Sequence, residues 1–131
     1  MAVGYSVAVR NAMLDALTSY AGASPLLRLY DGTRPATGGA ATTLLAELVC
    51  NATFAPAASG GTLTLNAIAN DAAANATGTA TWFRLVKADG TTHVLDGSVG
   101  TSGADLNMNT VSIVTGGPVA ISSFVVTGGN P

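Results

Sequence analysis

A strand–turn–strand pattern in the second half of the chain limits most strongly how the chain can fold. Residues 79–87 (TATWFRLVK) are rich in β-branched and aromatic side chains, and THVL follows at residues 92–95. Asp89-Gly90 between two such runs favours a β-hairpin, because both central residues of a type I′ turn need a positive φ. The pattern therefore predicts two paired antiparallel strands.

A two-residue loop at this turn also predicts the register of the hairpin. Leu85 would pair with Val94, and Arg84 with Leu95. Side chains would then alternate between two faces: Phe83, Leu85 and Val94 on one, and Trp82, Arg84, Val86, His93 and Leu95 on the other. Since both faces carry apolar residues, we expect the hairpin to be covered on both sides.

One helix is predicted, over residues 7–21, after an N-terminal arm formed by residues 1–6. Ser6 is a suitable N-cap, Gly22 suits the residue that closes a helix, and Pro25 prevents its continuation. Apolar residues recur at a spacing of three to four, and they are expected to face a sheet: Val9, Met13, Ala16 or Leu17, and Tyr20. The opposite side would carry the polar residues Arg10, Asn11, Asp15, Thr18 and Ser19.

The rest of the chain has the composition of short strands separated by glycine-rich turns. Strands are predicted at 26–30, 44–50, 62–69, 104–107, 111–115 and 119–127. Loops are predicted at 33–41, 70–78 and 96–103, and residues 53–57, which contain Pro56, belong at a sheet edge or outside it. With 131 residues, the chain is expected to form a single domain, with strands over residues 26–127. This domain would be an antiparallel β-sandwich or jelly roll with one short N-terminal helix.

The scarcity of charge is the unusual feature of the composition. Only 9% of residues are Asp, Glu, Lys or Arg, and the net charge is −2, whereas soluble domains average about 25%. Such a neutral surface favours association, so we expect a homo-oligomer, a dimer or trimer, or an assembly subunit; a monomer with a Ser/Thr/Asn/Gly coat is the alternative. Scattered cations argue against a nucleic-acid partner, and no segment suits a membrane.

No catalytic, cofactor-binding or metal-binding residues are predicted. Ser98 or Ser102 could be combined with His93 and Asp96 as a hydrolytic triad, but no G-x-S-x-G elbow is present. Asp96 and Asp105 match no calcium loop, and one Cys with one His cannot form a zinc site. We therefore expect a protein that is not an enzyme.

Two single residues allow more than one interpretation. Cys50 ends an apolar run, so it is either a buried thiol or one that reacts or bridges between molecules. Trp82 is either part of the core or an exposed platform for stacking sugars.

Several motifs resemble those of small tailed-bacteriophage and prophage virion proteins. They are RNAMLDAL at residues 10–17, LRLYDGTRP at 27–35, WFR at 82–84, DG at 89–90, DGSVGTSGADLNMN at 96–109 and VAISSF at 119–124. The resemblance covers most of the chain, although these are packing and turn motifs without diagnostic chemistry.

The resemblance implies a part of the virion, similar to the cement proteins that decorate capsids. The partner would then be the phage major capsid protein, and the location the capsid surface; attachment to the tail, neck or a fibre is the alternative. Because the N-terminus lacks the order of a signal peptide, synthesis in the host bacterial cytoplasm is expected. The predicted partner interface comprises Val3, Tyr5, Val7, Leu26 and Trp82.

Overall fold

The computed structural model describes residues 3–128 of the chain, which are mainly β with one helix. Residues 1 and 2 of the predicted arm lie outside the described residues. The elements in chain order are α1 Val7–Ala21, β1 Leu26–Tyr30, β2 Leu44–Val49, β3 Thr62–Thr64, β4 Gly78–Thr79, β5 Trp82–Val86, β6 His93–Gly100, β7 Leu106–Asn107, β8 Ser112–Ile113 and β9 Val125–Thr127.

The bounds of α1 confirm the helix prediction at both ends. Ser6 has an extended backbone, and its Oγ accepts a hydrogen bond from the amide of Val9, which satisfies one of the free N–H groups of the first turn. At the other end, Gly22 adopts a φ of 73° and donates its N–H to the carbonyl of Thr18. A left-handed residue closes the helix there because glycine has no Cβ to oppose that conformation.

Five strands form the main sheet, in the order β2-β1-β5-β6-β7. The pairs are antiparallel except for β6 and β7, which run parallel. Two separate antiparallel pairs, β3 with β9 and β4 with β8, complete the strands of the described chain. The sheets are therefore mainly antiparallel, as predicted. At the centre of the main sheet, β5 lies between β1 and β6, although β1 and β5 are not consecutive in the sequence.

The hairpin forms, but its predicted register is wrong by one residue. Leu85 lies opposite Leu95 and Arg84 opposite Asp96. The loop has four residues between Lys87 and Thr92, whose backbone groups are joined by a 2.9 Å hydrogen bond. The side chain of Asp89 accepts hydrogen bonds from the amides of Thr91 and Thr92, both at 2.8 Å, and these bonds stabilise the longer loop.

The register has one further consequence for the faces of the hairpin. Leu95 joins Phe83 and Leu85 on one face, whereas Asp96 joins Arg84 on the other. The expectation that both faces are covered is confirmed, since the buried residues of β5 are Trp82, Phe83, Leu85 and Val86.

The predicted loop over residues 96–103 is wrong in its first half, because β6 continues to Gly100. Gly97 pairs with Phe83 in the middle of the sheet. A Cβ at this position would collide with the ring of Phe83. Glycine is therefore required here for close packing within a strand, and it does not form a turn.

Two predicted strands are much shorter than expected. Residues 62–69 and 119–127 contribute only the three-residue strands β3 and β9. After β3 the amides bond to different partners in succession: Leu65 to the carbonyl of Phe124, Asn66 to that of Phe54, and Ala69 to that of Val49. Changing partners in this way satisfies the backbone without extending a ladder.

The main sheet has an apolar face and a polar but covered face. Leu27, Leu29, Phe83 and Leu85 lie on the apolar face, which belongs to the main core cluster. On the other face, residues 31–43 fold over the sheet, and the carbonyl of Gly39 and the amide of Gly38 bond to side chains there. The ion pair and the cleft described below lie on these two faces.

Candidate functional site

The outward side of α1 carries several exposed apolar residues, and its orientation contradicts the sequence prediction. The exposed fractions of Val9, Met13 and Tyr20 are 44%, 54% and 51%. The buried residues of the helix are instead Leu14 and Ala21. The apolar stripe therefore faces solvent.

Hydrogen bonds to a neighbouring loop explain why the side with polar residues packs inward. Asn11 Oδ1 accepts from the amide of Gly61 at 2.9 Å, and Asp15 Oδ1 accepts from the amide of Ala58 at 2.8 Å. These loop N–H groups are half-buried and have no strand partner, so leaving them unpaired would be costly. Only the polar side of α1 could satisfy them.

The arm before the helix extends the same exposed surface. Of the residues predicted for the partner interface, Val3 is 68% exposed, Tyr5 42% and Val7 46%. Leu26 is half-buried at the start of β1. We define the helix stripe as Val9, Met13, Ala16 and Tyr20, of which Ala16 is also exposed. Lys87 Nζ lies 4.1 Å from the centre of the Tyr20 ring, at one end of this stripe.

Trp82 does not fit its predicted place in the interface, because its side chain is fully buried, with 0% exposure. Its ring stacks on Tyr30 at a centroid distance of 4.4 Å. The indole Nε1 donates to the carbonyl of Asp31 at 3.0 Å and to Thr42 Oγ1 at 2.9 Å. Trp82 is therefore a core residue with its N–H satisfied, as one of the two sequence interpretations predicts.

A part-buried ion pair lies beside Trp82 on the covered face of the sheet. Arg84 donates to both oxygens of Asp96, at 2.8 and 3.0 Å, and their side chains are 12% and 1% exposed. His93 Nε2 lies 3.0 Å from the same carboxylate, and the amide of Gly38 donates to it at 3.1 Å. Arg84 also donates to the carbonyl of Gly39, so the pair ties residues 38–39 to the sheet.

Two opposing effects act on the acidity of Asp96. Burial raises the pKa of this carboxyl. The hydrogen bonds from Arg84, Gly38 and His93, together with the charge of Arg84, lower the pKa by more than burial raises it, so it lies below its ordinary value. The hydrogen bond to Asp96 in turn raises the pKa of Arg84. Both groups are therefore charged at neutral pH and hold each other in place.

The residues considered for hydrolysis do not form a triad. His93 contacts Asp96, but the Oγ of Ser98 bonds to Asp105 Oδ2 at 3.1 Å. Among the described residues, no hydrogen bond joins His93 to Ser98 or Ser102. The same region of 3–128 contains no group of three or more His, Cys, Asp or Glu side chains arranged to hold a metal ion.

Cys50 is a free thiol with an exposed fraction of 3%. Burial raises its pKa to about 12. The thiolate, which is the reactive form, is therefore scarce at neutral pH. This position matches the interpretation of Cys50 as a space-filling residue.

A cleft of about 580 Å³ opens between the main sheet and β9. Its lining combines Phe83, Leu95 and Phe124 with polar groups, among them Asp105 and Asn107. Phe83 and Phe124 meet edge to face at 5.1 Å, and both are buried. The sequence carries no signal for this cleft, since it depends on where the short strands β7 and β9 end.

Comparison with protein-family models, with curated proteins and with solved structures finds no match for this chain. Within residues 3–128, no helix combines the length and the hydropathy that crossing a bilayer requires. Function must therefore be argued from the surfaces just described.

Proposed function

We propose that this chain is a structural virion protein of a tailed bacteriophage, a decoration or cement protein that binds the outside of the capsid. The observation that carries the proposal is the helix stripe, with Met13 54% exposed at its centre, together with Val7 at the start of α1. An exposed apolar surface of this kind is typical of a protein–protein interface.

The scarcity of charge supports the same proposal. The helix stripe itself contains no ionised side chain, and α1 has no acidic residue in its first turn and no basic residue in its last. Such a surface loses little hydration energy when a partner covers it. In the proposed mechanism, each copy lies across a boundary between major capsid subunits. Because it binds the assembled shell and not the dispersed subunits, it stabilises the shell by mass action.

The proposed architecture is a β-sandwich or jelly roll. The main sheet would form one layer, and the β3–β9 pair with its flanking segments would form the other, with Phe83 and Phe124 between them. The two layers would give the subunit the rigidity that a cement protein needs. The protein would act mechanically and would not be an enzyme.

Attachment to the tail, neck or a fibre is the alternative. In its glycan-binding form, that alternative needs an exposed aromatic platform, and Trp82 is buried against Tyr30. The copy number in purified particles separates the two locations. Hundreds of copies per particle are expected for decoration, whereas a dozen or fewer would place the protein at the tail or neck and contradict the proposal.

A pair of variants tests the role of the helix stripe. Met13→Glu places a charge in the stripe, and Val114→Glu places one at another exposed valine, 61% exposed, in the turn after β8. On particles that lack the protein, Met13→Glu is expected to weaken binding at least about tenfold, equivalent to about 1.4 kcal/mol. Val114→Glu is expected to bind within about twofold of the wild type. Equal binding by both variants would contradict the assignment of the stripe.

A further inference from the structure

Two edge strands of different sheets, β7 and β9, border the same cleft. β9 pairs only with β3, and β7 only with β6, so each lies at the edge of its sheet. The carbonyl of Phe124 accepts from the amide of Leu65 at 3.0 Å, and the amide of Gly128 donates to Gly61 at 2.8 Å. Because bonding alternates along an antiparallel strand, the backbone groups of the intervening residues 125 and 127 point away from β3.

The same reasoning applies to β7. The amide of Met108 donates to the carbonyl of Gly100 at 2.9 Å. In a parallel pair only alternate residues bond to the neighbour, so the backbone groups of Asn107 point away from β6. No strand of the described chain pairs with these edges of β7 and β9.

The cleft of about 580 Å³ lies between these two edges, since Asn107 and residues 123–127 all line it. Its floor is the buried Phe83–Phe124 contact. Outward N–H and C=O groups on a strand edge bind another extended main chain, and apolar residues beneath them bind alternate side chains of that strand. The ligand that fits this site chemically is therefore an extended peptide segment.

The N-terminal arm is a segment of the right kind. Val3 and Gly4 lie outside the helix and the strands, Val3 is 68% exposed, and Ser6 has extended backbone angles of −64° and 157°. Apolar residues alternate with small ones along VGYS, the period of a strand. Residues 3–6 would extend for about 10 Å, enough to run beside the roughly 7 Å of β9.

The position of the arm favours an exchange between two copies. The amide of Arg10 donates to the carbonyl of Ser6, and a Cβ placed on Gly128 would lie 3.4 Å from the Cβ of Arg10. The arm therefore leaves α1 one turn away from the end of β9, at the border of the cleft. If two copies place their clefts against each other across a two-fold axis, each arm begins beside the partner's cleft.

We propose that the cleft between β7 and β9 binds residues 3–6 of a second copy as an added β-strand, giving a dimer with exchanged arms. The dimer does not depend on the capsid assignment. It uses a surface other than the helix stripe, which remains available for a different partner.

Two substitutions at Val125 separate the contribution of its backbone to dimer formation from that of its side chain. Its N–H points into the cleft, so Val125→Pro removes a donor for the added strand without removing a bond to β3. Val125→Ala shortens the side chain and keeps that donor. Sedimentation equilibrium of the wild type is expected to give twice the chain mass of 12.9 kDa. Val125→Pro and deletion of residues 1–5 are each expected to raise the dimer Kd at least about tenfold, and Val125→Ala less than about threefold.

Disulfide trapping tests whether the arm of one chain reaches the cleft of another. Chains carrying Val3→Cys are mixed with differently tagged chains carrying Val125→Cys, Thr127→Cys or Val114→Cys. Neighbouring strands are about 4.8 Å apart, within reach of a disulfide. Cys50 is buried and stays out of the reaction. Mixed disulfides are expected with position 125 or 127 and not with position 114.

The outcomes distinguish this inference from the proposed function. A wild-type chain that stays monomeric at millimolar concentration overturns the dimer, and so does a dimer that survives both Val125→Pro and loss of the arm. Trapping that is as efficient at position 114 as at 125 and 127 also overturns it. A monomer that still coats particles would leave the decoration proposal standing, whereas an arm-exchanged dimer that binds no particles would contradict only that proposal.

Discussion

Asp96→Asn is expected to destabilise the fold more than breaking the Arg28–Glu47 pair does. The change removes the negative charge opposite Arg84, whose side chain is only 12% exposed. Breaking a fully buried pair by removing one partner costs about 3–5 kcal/mol, because the remaining charge is left without compensation. An exposed pair is worth about 0–1 kcal/mol, so for this part-buried pair we expect a loss of about 2–4 kcal/mol. For a chain of this length, the entropy of unfolding is about 0.28 kcal/mol/K, so the unfolding midpoint should fall by about 7–14 °C.

Urea unfolding and thermal melts measure this loss, and two further variants identify its cause. Glu47→Gln breaks the more exposed Arg28–Glu47 pair, whose side chains are 23% and 34% exposed, and should cost no more than about 1 kcal/mol. Adding Arg84→Met to Asp96→Asn removes the uncompensated charge and should restore at least about half of the stability. A loss from Asp96→Asn no greater than that from Glu47→Gln would refute the reasoning.

The pH dependence of stability gives a second test of whether Asp96 is ionised in the folded protein. Because the folded pKa of Asp96 lies below its ordinary value, ionised Asp96 stabilises the fold above the unfolded pKa, about 3.9. That stability is lost as the pH falls through the folded pKa. The difference in stability between the wild type and Asp96→Asn should therefore shrink as the pH falls below about 4. A difference that stays constant down to pH 2.5 would contradict an ionised Asp96.

The packing of Gly97, Asp15 and Cys50 leads to three further predictions. Gly97→Ala should destabilise the fold by about 1–3 kcal/mol in urea unfolding, since its methyl group collides with the ring beneath β6; no loss would mean that the strand can shift. Asp15→Ala should cost about 1–3 kcal/mol by leaving a loop N–H unpaired, whereas Met13→Ala should stay within about 0.5 kcal/mol, and the reverse order would indicate that α1 packs by its apolar stripe. The Cys50 thiol, with its pKa of about 12, should react with a disulfide reagent at pH 8 only after unfolding; a native rate within about tenfold of the unfolded one would contradict its burial.

The sequence predicts most accurately those elements whose limits depend on neighbouring residues. Ser6 and Gly22 act within one turn of the helix ends, and α1 begins and ends as they predict. β1 likewise matches its predicted range, Leu26–Tyr30, because Pro25 and Asp31-Gly32 bound it on both sides. Neighbouring residues are therefore sufficient to predict where α1 and β1 begin and end.

The hairpin shows where local rules become insufficient. Asp-Gly is compatible both with a two-residue loop and with a longer one, and the bonds from Asp89 to Thr91 and Thr92 favour the longer loop. The shift by one residue changes the partner of Arg84 from a leucine to Asp96. The sequence pattern therefore located both strands correctly but did not predict the part-buried ion pair.

The β6 strand shows the same ambiguity for glycine. In the sequence, DGSVG has the composition of a turn, but residues 96–100 continue a strand of eight residues. Glycine is enriched both where φ is positive and where two side chains leave no room for a Cβ. Only the position of Phe83 across the strand distinguishes the two cases, and that position depends on the register.

The reversed orientation of α1 was unpredictable for a related reason, and it bears on what the helix does. Both sides of the helix contain apolar residues, so apolar periodicity alone does not decide which one packs. On the inward side, Leu14 and Ala21 pack in the core, and Asp15 and Asn11 accept hydrogen bonds from the loop amides of Ala58 and Gly61. The side left outward carries Met13 and Tyr20, 54% and 51% exposed, although α1 could have presented charged residues there at little cost to its own stability. An uncharged stripe on the outward side of a helix that is already stabilised from its other side agrees with the partner interface proposed above.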